Sequence, residues 1–397
     1  MTLAVIGAGA AGITAALSAA KSGARVILLE QHPRVGKKLL ATGNGRCNLL
    51  NTSDPTGHYY GGGAEAALVL LRRYSAKRLL EYWESLGLIC REENEGRVYP
   101  ASGVANAVVD VLRQRLTEAG VDVRNGYTVA DIRKDADGFI INQTLRADRV
   151  IITTGGKAGI GAGDATGYHL FKSLGVPMKP LLPSLAPIKV DPSSIRGMKG
   201  VRARANLSLL ADERVVSSEE GEILFREDAV SGVAAMQLSR FVDSLTSRAA
   251  RLELKIDLLP ERSQRDWSDW LISHSHDTNA SVEDLLRGLV HPSIAARLPR
   301  VARMDGNVRA DKATWNTIAR LLRDWRLPVA SVKGFRDAQA TAGGAAFSSF
   351  DSETLECRII PGLFAAGEAL DVDGACGGFN LMWAWASGIV AGEAGSR

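Results

Sequence analysis

Cysteine is scarce in these 397 residues: Cys47, Cys90, Cys357 and Cys376 stand far apart and form no Cys-x-x-Cys pair. A disulfide framework is not expected from such spacing, and a reducing, cytoplasmic setting is. Histidine is scarcer relative to its uses. Of six, only His274 and His276 lie close together, in a polar stretch between helices, so no metal site is expected. Runs of one charge are missing as well. The 48 basic and 44 acidic residues give a net charge of +4, and basic pairs such as Lys37-Lys38 and Arg72-Arg73 are scattered. There is no dedicated nucleic-acid segment; mild basicity of this kind suits solubility or an anionic ligand. No internal repeat or low-complexity tract stands out. One apolar run, Leu3 to Ala20, raises the question of a membrane anchor, but glycines interrupt it, no basic segment precedes it and a second strand-like run follows. What remains is a chain with 46% hydrophobic and 23% charged residues, large enough for two or three domains.

The organising stretch is at the start. A short apolar run from Thr2 leads into Gly7-Ala-Gly9-Ala10-Ala11-Gly12, a small-residue helix follows, and Ala24-Arg-Val-Ile-Leu-Leu-Glu30 ends in an acid about twenty residues past the glycines. This is a complete dinucleotide-binding unit. Gly7 permits the tight turn out of the strand, Gly9 lets backbone approach a pyrophosphate, and Gly12 allows close packing of helix on strand. The helix start receives the negative charge. Glu30 accepts from a ribose diol and disfavours a 2′-phosphate.

The loop Gln31 to Asn51 is dense in glycine and asparagine, which predicts unusual backbone angles and a ligand-wrapping role. Helices are expected across Ala64 to Leu86, broken near Tyr74-Ser75, and over Val104 to Ala119. A strand pair is expected within Ile89 to Pro100. Short strands are expected at Val121 to Arg124, Tyr127 to Arg133 and Phe139 to Gln143. A buried strand, Asp148 to Thr154, runs into Gly155-Gly156 and returns to the parallel sheet. Prolines 177, 180, 183, 187 and 192 then mark a change of texture. Strands at Leu185 to Val190, Val201 to Leu210, Arg214 to Ser217, Glu222 to Phe225 and Leu252 to Leu258 suggest a small β unit. Asp266 to Asp324 reads as helical, and beyond Pro328 the glycine-rich style returns. The expected organisation is a first part at 1–180, an inserted β-rich domain at 181–260, a helical subdomain at 261–328 and a second part at 329–397.

The motifs Gly43-Asn-Gly45-Arg46-Cys47-Asn48, Gly96-Arg-Val-Tyr-Pro-Ala-Ser102, Thr154-Gly155-Gly156, Thr341-Ala-Gly-Gly344 and Gly367-Glu-Ala-Leu-Asp-Val-Asp-Gly-Ala-Cys-Gly-Gly-Phe-Asn380 carry a resemblance over nearly the whole chain. The sequence resembles the BaiN/YhiN-like bacterial flavoproteins, also described as aminoacetone-oxidase-like FAD-binding or NAD(P)/FAD-dependent oxidoreductases. The resemblance implies an α/β fold: an FAD-binding Rossmann-type domain, two-dinucleotide-binding-fold-like and assembled from both chain ends, with an inserted β domain and helical subdomain. It implies FAD as cofactor. Glu30 then matches the ribose acid, Val129 the backbone contact to adenine, and Lys38, Thr42 and Gly43 to Asn48 the loop along FAD. Gly367, Glu368 and Asp371 match the segment at the ribityl and pyrophosphate, and Gly377, Gly378, Phe379 and Asn380 the helix start facing the flavin ring. Amide donors there stabilise negative charge on the reduced flavin. The chain departs from its relatives at Lys157 to Tyr168 and at Ala229-Val-Ser-Gly-Val233, near the expected substrate side.

No second complete Gly-x-Gly-x-x-Gly unit appears; Gly159 to Gly163 is the nearest approach, so no dedicated NAD(P)H domain is expected and NAD(P)H would act transiently. Arg46, Asn48 and Asn380 are the flavin-proximal residues expected to supply catalytic groups. Arg46 either meets an anionic substrate or reduced flavin, or pairs with a phosphate or nearby acid, and Cys47 is expected as a small buried residue behind the ring. The expected function is an FAD-dependent oxidoreductase of a small organic substrate, with NAD(P)H or dioxygen as redox partner. A flavoprotein acting on a macromolecule such as tRNA, or a flavin-bound interaction protein without turnover, is the alternative. The inserted lobe is expected to cover the flavin and choose the substrate.

Overall fold

The computed structural model describes residues 1–159, 166–246, 248–277, 280–307 and 310–397, and omits the side chains of Thr166, His276 and Asp277. The chain forms two compact units, Met1–Pro183 with Gln339–Arg397, and Ser184–Ala338.

The first unit is built on a five-stranded sheet, with strands in the order Leu363–Ala365, Arg149–Ile152, Thr2–Ile6, Arg25–Glu30 and Asp122–Asn125. Every neighbouring pair is parallel, as in the register Ala4↔Val150 on one side and Ala4↔Ile27 on the other. Sheets of this kind are covered on both faces, which explains why these strands read as continuous apolar runs. The apolar stretch Leu3 to Ala20 is therefore the central strand and the helix Ala10–Lys21. Among the described residues, no helix is long and apolar enough to cross a membrane. The last helix, Phe379–Gly395, packs against the first through small residues. A Cβ on Gly388 would lie 2.3 Å from the Ala11 carbonyl oxygen, and one on Gly392 2.3 Å from that of Ala15. Two helices can approach this closely only where neither has bulk, and this contact joins the chain ends into one domain.

Antiparallel ribbons surround the sheet. Cys90–Glu92 pairs with Arg97–Pro100, and Ile132–Asp135, Gly138–Ile141 and Leu145–Ala147 form a three-stranded sheet. The expected strand at Tyr127 to Arg133 begins only at Ile132; residues before it form a loop.

The second unit is a closed six-stranded barrel, in the order Ile188–Val190, Ala229–Ser231, Arg214–Phe225, Arg202–Ala211, Leu252–Asp257 and Trp325–Val332. Closure is made by Ile188↔Val332. The helices Val233–Thr246, Gln264–Asp277, Val282–Arg287, Pro292–Val301 and Lys312–Arg323 share the barrel's core, where Leu238, Ile294, Trp315 and Leu322 join Leu254, Ile256 and Trp325. The β-rich and helical stretches thus form one compact unit, in which the helices between Leu252–Asp257 and Trp325–Val332 sit inside the barrel's strand sequence. Pro328, read as a boundary, lies within the closing strand opposite Glu253.

Candidate active site

In an open parallel sheet, ligands meet the carboxyl ends of the strands, where loops diverge. A cleft of about 260 Å³, open to solvent, lies there. Its walls come from the residues that follow three strand ends: Gly7 to Ala11, Thr153 to Gly156, and Ala366 to Glu368.

The three glycines of the fingerprint have separate tasks. Gly7 adopts φ +100°, donates its N–H to the Leu29 carbonyl at 2.8 Å, and has no room for a Cβ, which would lie 2.7 Å from the Thr153 oxygen. A Cβ on Gly12 would overlap the Gly7 carbonyl oxygen at 1.8 Å. Gly9 differs: among the described residues, its chain neighbours aside, a Cβ there would meet nothing within 4 Å, because it faces the open cleft. The first intrahelical bond runs from Ile13 N–H to the Gly9 carbonyl at 3.0 Å, so the N–H groups of Ala10, Ala11 and Gly12 have no intrahelical acceptor. A bare glycine in front of a helix start is a cradle for an anion.

Glu30 closes one end of the cleft. Its carboxylate is buried and accepts from the backbone N–H of Ala8 at 2.8 Å and of His32 at 2.9 Å, leaving acceptor capacity for ligand hydroxyls. Tyr127 and Val129 line the cleft beside it, tied in by Tyr127 N–H donating to the Glu30 carbonyl at 2.8 Å. A pyrophosphate-bearing dinucleotide with its ribose at Glu30 fits these residues.

Opposite, Glu368 ties three segments together. One carboxylate oxygen accepts from Thr341 N–H at 2.7 Å; the other accepts from Gly156 N–H at 2.9 Å and meets the Lys38 ammonium at 2.8 Å. Thr153, which the sequence reading passed over in favour of Thr154, binds the Ile6 and Gly7 carbonyls through its hydroxyl at 2.9 and 2.8 Å. Its signal was its place at the end of a buried strand. His32, Lys37, Tyr127 and Gln339 also line the cleft without having been singled out.

The expected site residues therefore divide. Gly7, Gly9, Ala10, Ala11, Glu30, Lys38, Thr42, Val129, Thr154, Gly155, Gly156, Gly367, Glu368 and Asn380 line the cleft together. Gly12 does not, because it packs helix on turn. Arg46 turns away to Glu93, at 3.0 and 2.5 Å, and stacks 4.1 Å from the centre of the Tyr99 ring, so of its alternatives the nearby acid is the partner present. Its loop has the expected angles: Gly43, Asn44, Gly45 and Cys47 all have positive φ. Cys47 is buried, which pushes its thiol up to about 11 and keeps it protonated. Asn48 lies between Gly43 and Gly378, with a side-chain oxygen sealed from solvent and lacking a hydrogen-bond partner among the described residues. Asp371 accepts from Gly62 N–H at 2.8 Å instead of facing the cleft. Gly377 and Gly378 have φ of +113° and +107° and turn the chain into the last helix. Phe379 stacks on His58 with ring centres 4.3 Å apart. The Asn380 side chain accepts from Gly374 N–H and donates to the Gly374 carbonyl, both at 2.8 Å, a structural clamp at the cleft's edge. The stretch Gly159 to Gly163 lies, apart from Gly159, outside the described residues, as does the His276 side chain. Among the described residues, no group of three or more histidines, cysteines or acids is placed to hold a metal.

A family model described as the HI0933-like protein Rossmann domain matches residues 1–394, nearly the whole chain. The chain belongs to this family. HI0933-like proteins are FAD-binding oxidoreductases of the Rossmann type, the BaiN/YhiN-like group that the sequence motifs resemble. The chain is 34% identical to the 3-dehydro-bile acid delta(4,6)-reductase of Clostridium scindens, over 99% of this chain and 98% of that one. It is 28% identical to the ribosomal RNA dihydrouridine synthase of Escherichia coli, over 96% and 95%. Among solved structures it is similar in fold to the 3-ketosteroid-delta4-(5alpha)-dehydrogenase from Rhodococcus jostii RHA1 in complex with 4-androstene-3,17-dione. That match has a TM-score of 0.52 and 17% identity, and covers 100% of this chain and 96% of the other.

Proposed function

We propose that this flavoprotein is an NAD(P)H-fed reductase of a carbon–carbon double bond conjugated with a carbonyl, in a small organic substrate. The observation that carries the reading is the cleft itself: bare Gly9 before an uncapped helix start, with the buried Glu30 carboxylate at its adenosine end. The names of two relatives support the chemistry. Reducing the 4,6-unsaturation of a 3-dehydro-bile acid and making dihydrouridine from uridine both add two hydrogens per double bond, at double bonds in conjugation with a carbonyl.

FAD, when bound, supplies hydride transfer. The chain's own residues hold and orient it. The N–H groups of Ala10 and Ala11 would hold the pyrophosphate and Glu30 would accept from the ribose hydroxyls, while Glu368 keeps Lys38 at the cleft. The start of the helix Phe379–Gly395 is the element whose positive end would stabilise negative charge on a reduced flavin bound in the cleft. Cys47, protonated and buried, takes no proton from substrate at neutral pH. The net reaction consumes NAD(P)H and one proton and yields NAD(P)⁺ and the saturated product.

A second reading, reduction of uridine in RNA, rests on the Escherichia coli relative's name. Several basic residues of the barrel are already engaged by acids, as in Arg202 with Glu222 and Arg204 with Glu220, which weakens phosphate binding there. The test is anaerobic stopped-flow reduction of the holoprotein by NADH and NADPH, then reoxidation by 4-ene-3-ketones, by RNA and by dioxygen. Reoxidation by a conjugated ketone faster than by dioxygen or RNA is expected. Turnover with RNA alone would replace this reading with the second, and turnover with dioxygen alone would make the protein an oxidase.

A further inference from the structure

The proposed adenine contact, Val129, sits in a loop anchored at its start by Tyr127 N–H, which donates to the Glu30 carbonyl at 2.8 Å. Val129 is buried within the loop Tyr127 to Asp131, and the residues on either side of it are held by the side chain of Asn142, on the turn of the hairpin Gly138–Ile141 and Leu145–Ala147. The Asn142 side-chain oxygen accepts from Ala130 N–H at 2.7 Å and from Asp131 N–H at 3.3 Å, and its amide donates to the Thr128 carbonyl at 2.7 Å. Its backbone N–H donates to the Asp131 carbonyl at 3.0 Å. The residues on both sides of Val129 are thus tied to a single asparagine. From the other side, His169 Nε2–H donates to the Ala130 carbonyl at 2.7 Å.

A blander account is that the turn alone requires Asn142. Asn142 and Gln143 have φ of +46° and +63°, Thr144 N–H closes the turn on the Ile141 carbonyl at 3.2 Å, and asparagine tolerates that conformation well. A turn needs only the backbone angle, however, and the three side-chain hydrogen bonds leave the hairpin to reach another segment. Their common effect is to keep the carbonyl of Thr128 and the N–H groups of Ala130 and Asp131 occupied while Val129 faces the cleft.

We infer that Asn142 is a positioning residue for the adenosine end of the cofactor: without touching FAD, it holds the Tyr127 to Asp131 loop in the conformation that receives adenine. The inference rests on the FAD reading above. The test uses FAD-loaded wild type, Asn142→Gly, which keeps the backbone angle and removes the side chain, and Asn142→Asp, which keeps the acceptor for Ala130 and Asp131 and loses the donor to Thr128. FAD affinity is read by flavin fluorescence, and loop order by hydrogen exchange of peptides in the holoprotein. For Asn142→Gly, FAD binding weakens about tenfold, on the order of one net hydrogen bond, and faster exchange is confined to residues 127–133, with Gly7 to Gly12 unchanged. Asn142→Asp falls between it and wild type in both readings, and decides the matter by the same criteria if Asn142→Gly does not fold. Unchanged FAD affinity, or faster exchange spread through the whole first unit, overturns the inference. A wild type that binds no FAD overturns the reading beneath it; a wild type and an Asn142→Gly that bind FAD equally overturn the inference alone.

Discussion

Replacing Gly9 by alanine separates ligand binding from folding more cleanly than any other change in the fingerprint. Its backbone, at φ −85° and ψ −162°, is open to any residue, and the added methyl meets none of the described residues beyond its chain neighbours within 4 Å. The cost to the flavin-free protein is limited to the weaker helix-capping ability of alanine, about 1 kcal/mol or less. In the holoprotein the methyl occupies the place of the pyrophosphate, and at least a hundredfold loss of FAD affinity is expected, about 3 kcal/mol. Gly7→Ala and Gly12→Ala behave in the opposite way. Gly7 has φ +100° with Thr153 at 2.7 Å, and Gly12 has the Gly7 carbonyl at 1.8 Å, so each destabilises the fold itself by about 1–3 kcal/mol or more. Urea unfolding of the flavin-free variants, beside fluorescence titration with FAD, distinguishes the two behaviours. A Gly9→Ala protein that binds FAD within twofold of wild type would refute the assignment of the pyrophosphate to this turn.

Other consequences follow from the same geometry. Glu30→Gln turns one amide edge toward an N–H that the carboxylate now accepts from, at Ala8 or His32, so FAD binding should weaken by roughly 1–2 kcal/mol; equal affinity by titration would remove Glu30 from the ribose contact. The Cys47 thiol is pushed from 9.0 to about 11 by burial, so the folded state holds its proton where the unfolded state releases it. Stability present below pH 9 should therefore decline as pH rises toward 11, and Cys47→Ala, though less stable throughout, should show a shallower decline in urea midpoints. Replacing Ser184 to Ala338 by a short linker should leave FAD bound, since every cleft-lining residue belongs to the first unit, while substrate-driven reoxidation fails; a shortened protein with full turnover would assign the second unit another role.

The parallel sheet was legible because its signals are local: a glycine turn, an alanine-rich helix and an acid at fixed spacing describe one supersecondary unit that folds the same way in many contexts. The break between helices near Tyr74-Ser75 was legible for the same reason, and the structure shows Ser75 capping the second of them, Ala76–Ser85. The rest depends on partners far along the chain. Glu368 meets Lys38 across 330 residues, and Asp371 meets Gly62 across 309, and no periodicity encodes either. Arg214 to Phe225 read as two short strands because Ser218 to Gly221 is polar, yet it is one strand, held by pairing along Arg202–Ala211 and free to be polar because much of it is exposed. Pro328 read as a border for a similar reason: a proline argues against a strand until the neighbours that tolerate it are known. The loop Gly43 to Asn48 was legible in its backbone angles and in the burial of Cys47, but not in which acid Arg46 takes, since nothing local points Arg46 toward Glu93.

The central claim is that the cleft at the carboxyl ends of the sheet holds FAD, with its adenosine at Glu30. Releasing the flavin from the freshly purified protein by heat, and identifying it by chromatography, tests this most directly. The account predicts yellow protein carrying about one FAD per chain, as expected for a cleft with both a pyrophosphate cradle and a ribose acid. Recovery of FMN alone, or colourless protein that FAD cannot reconstitute, would contradict it.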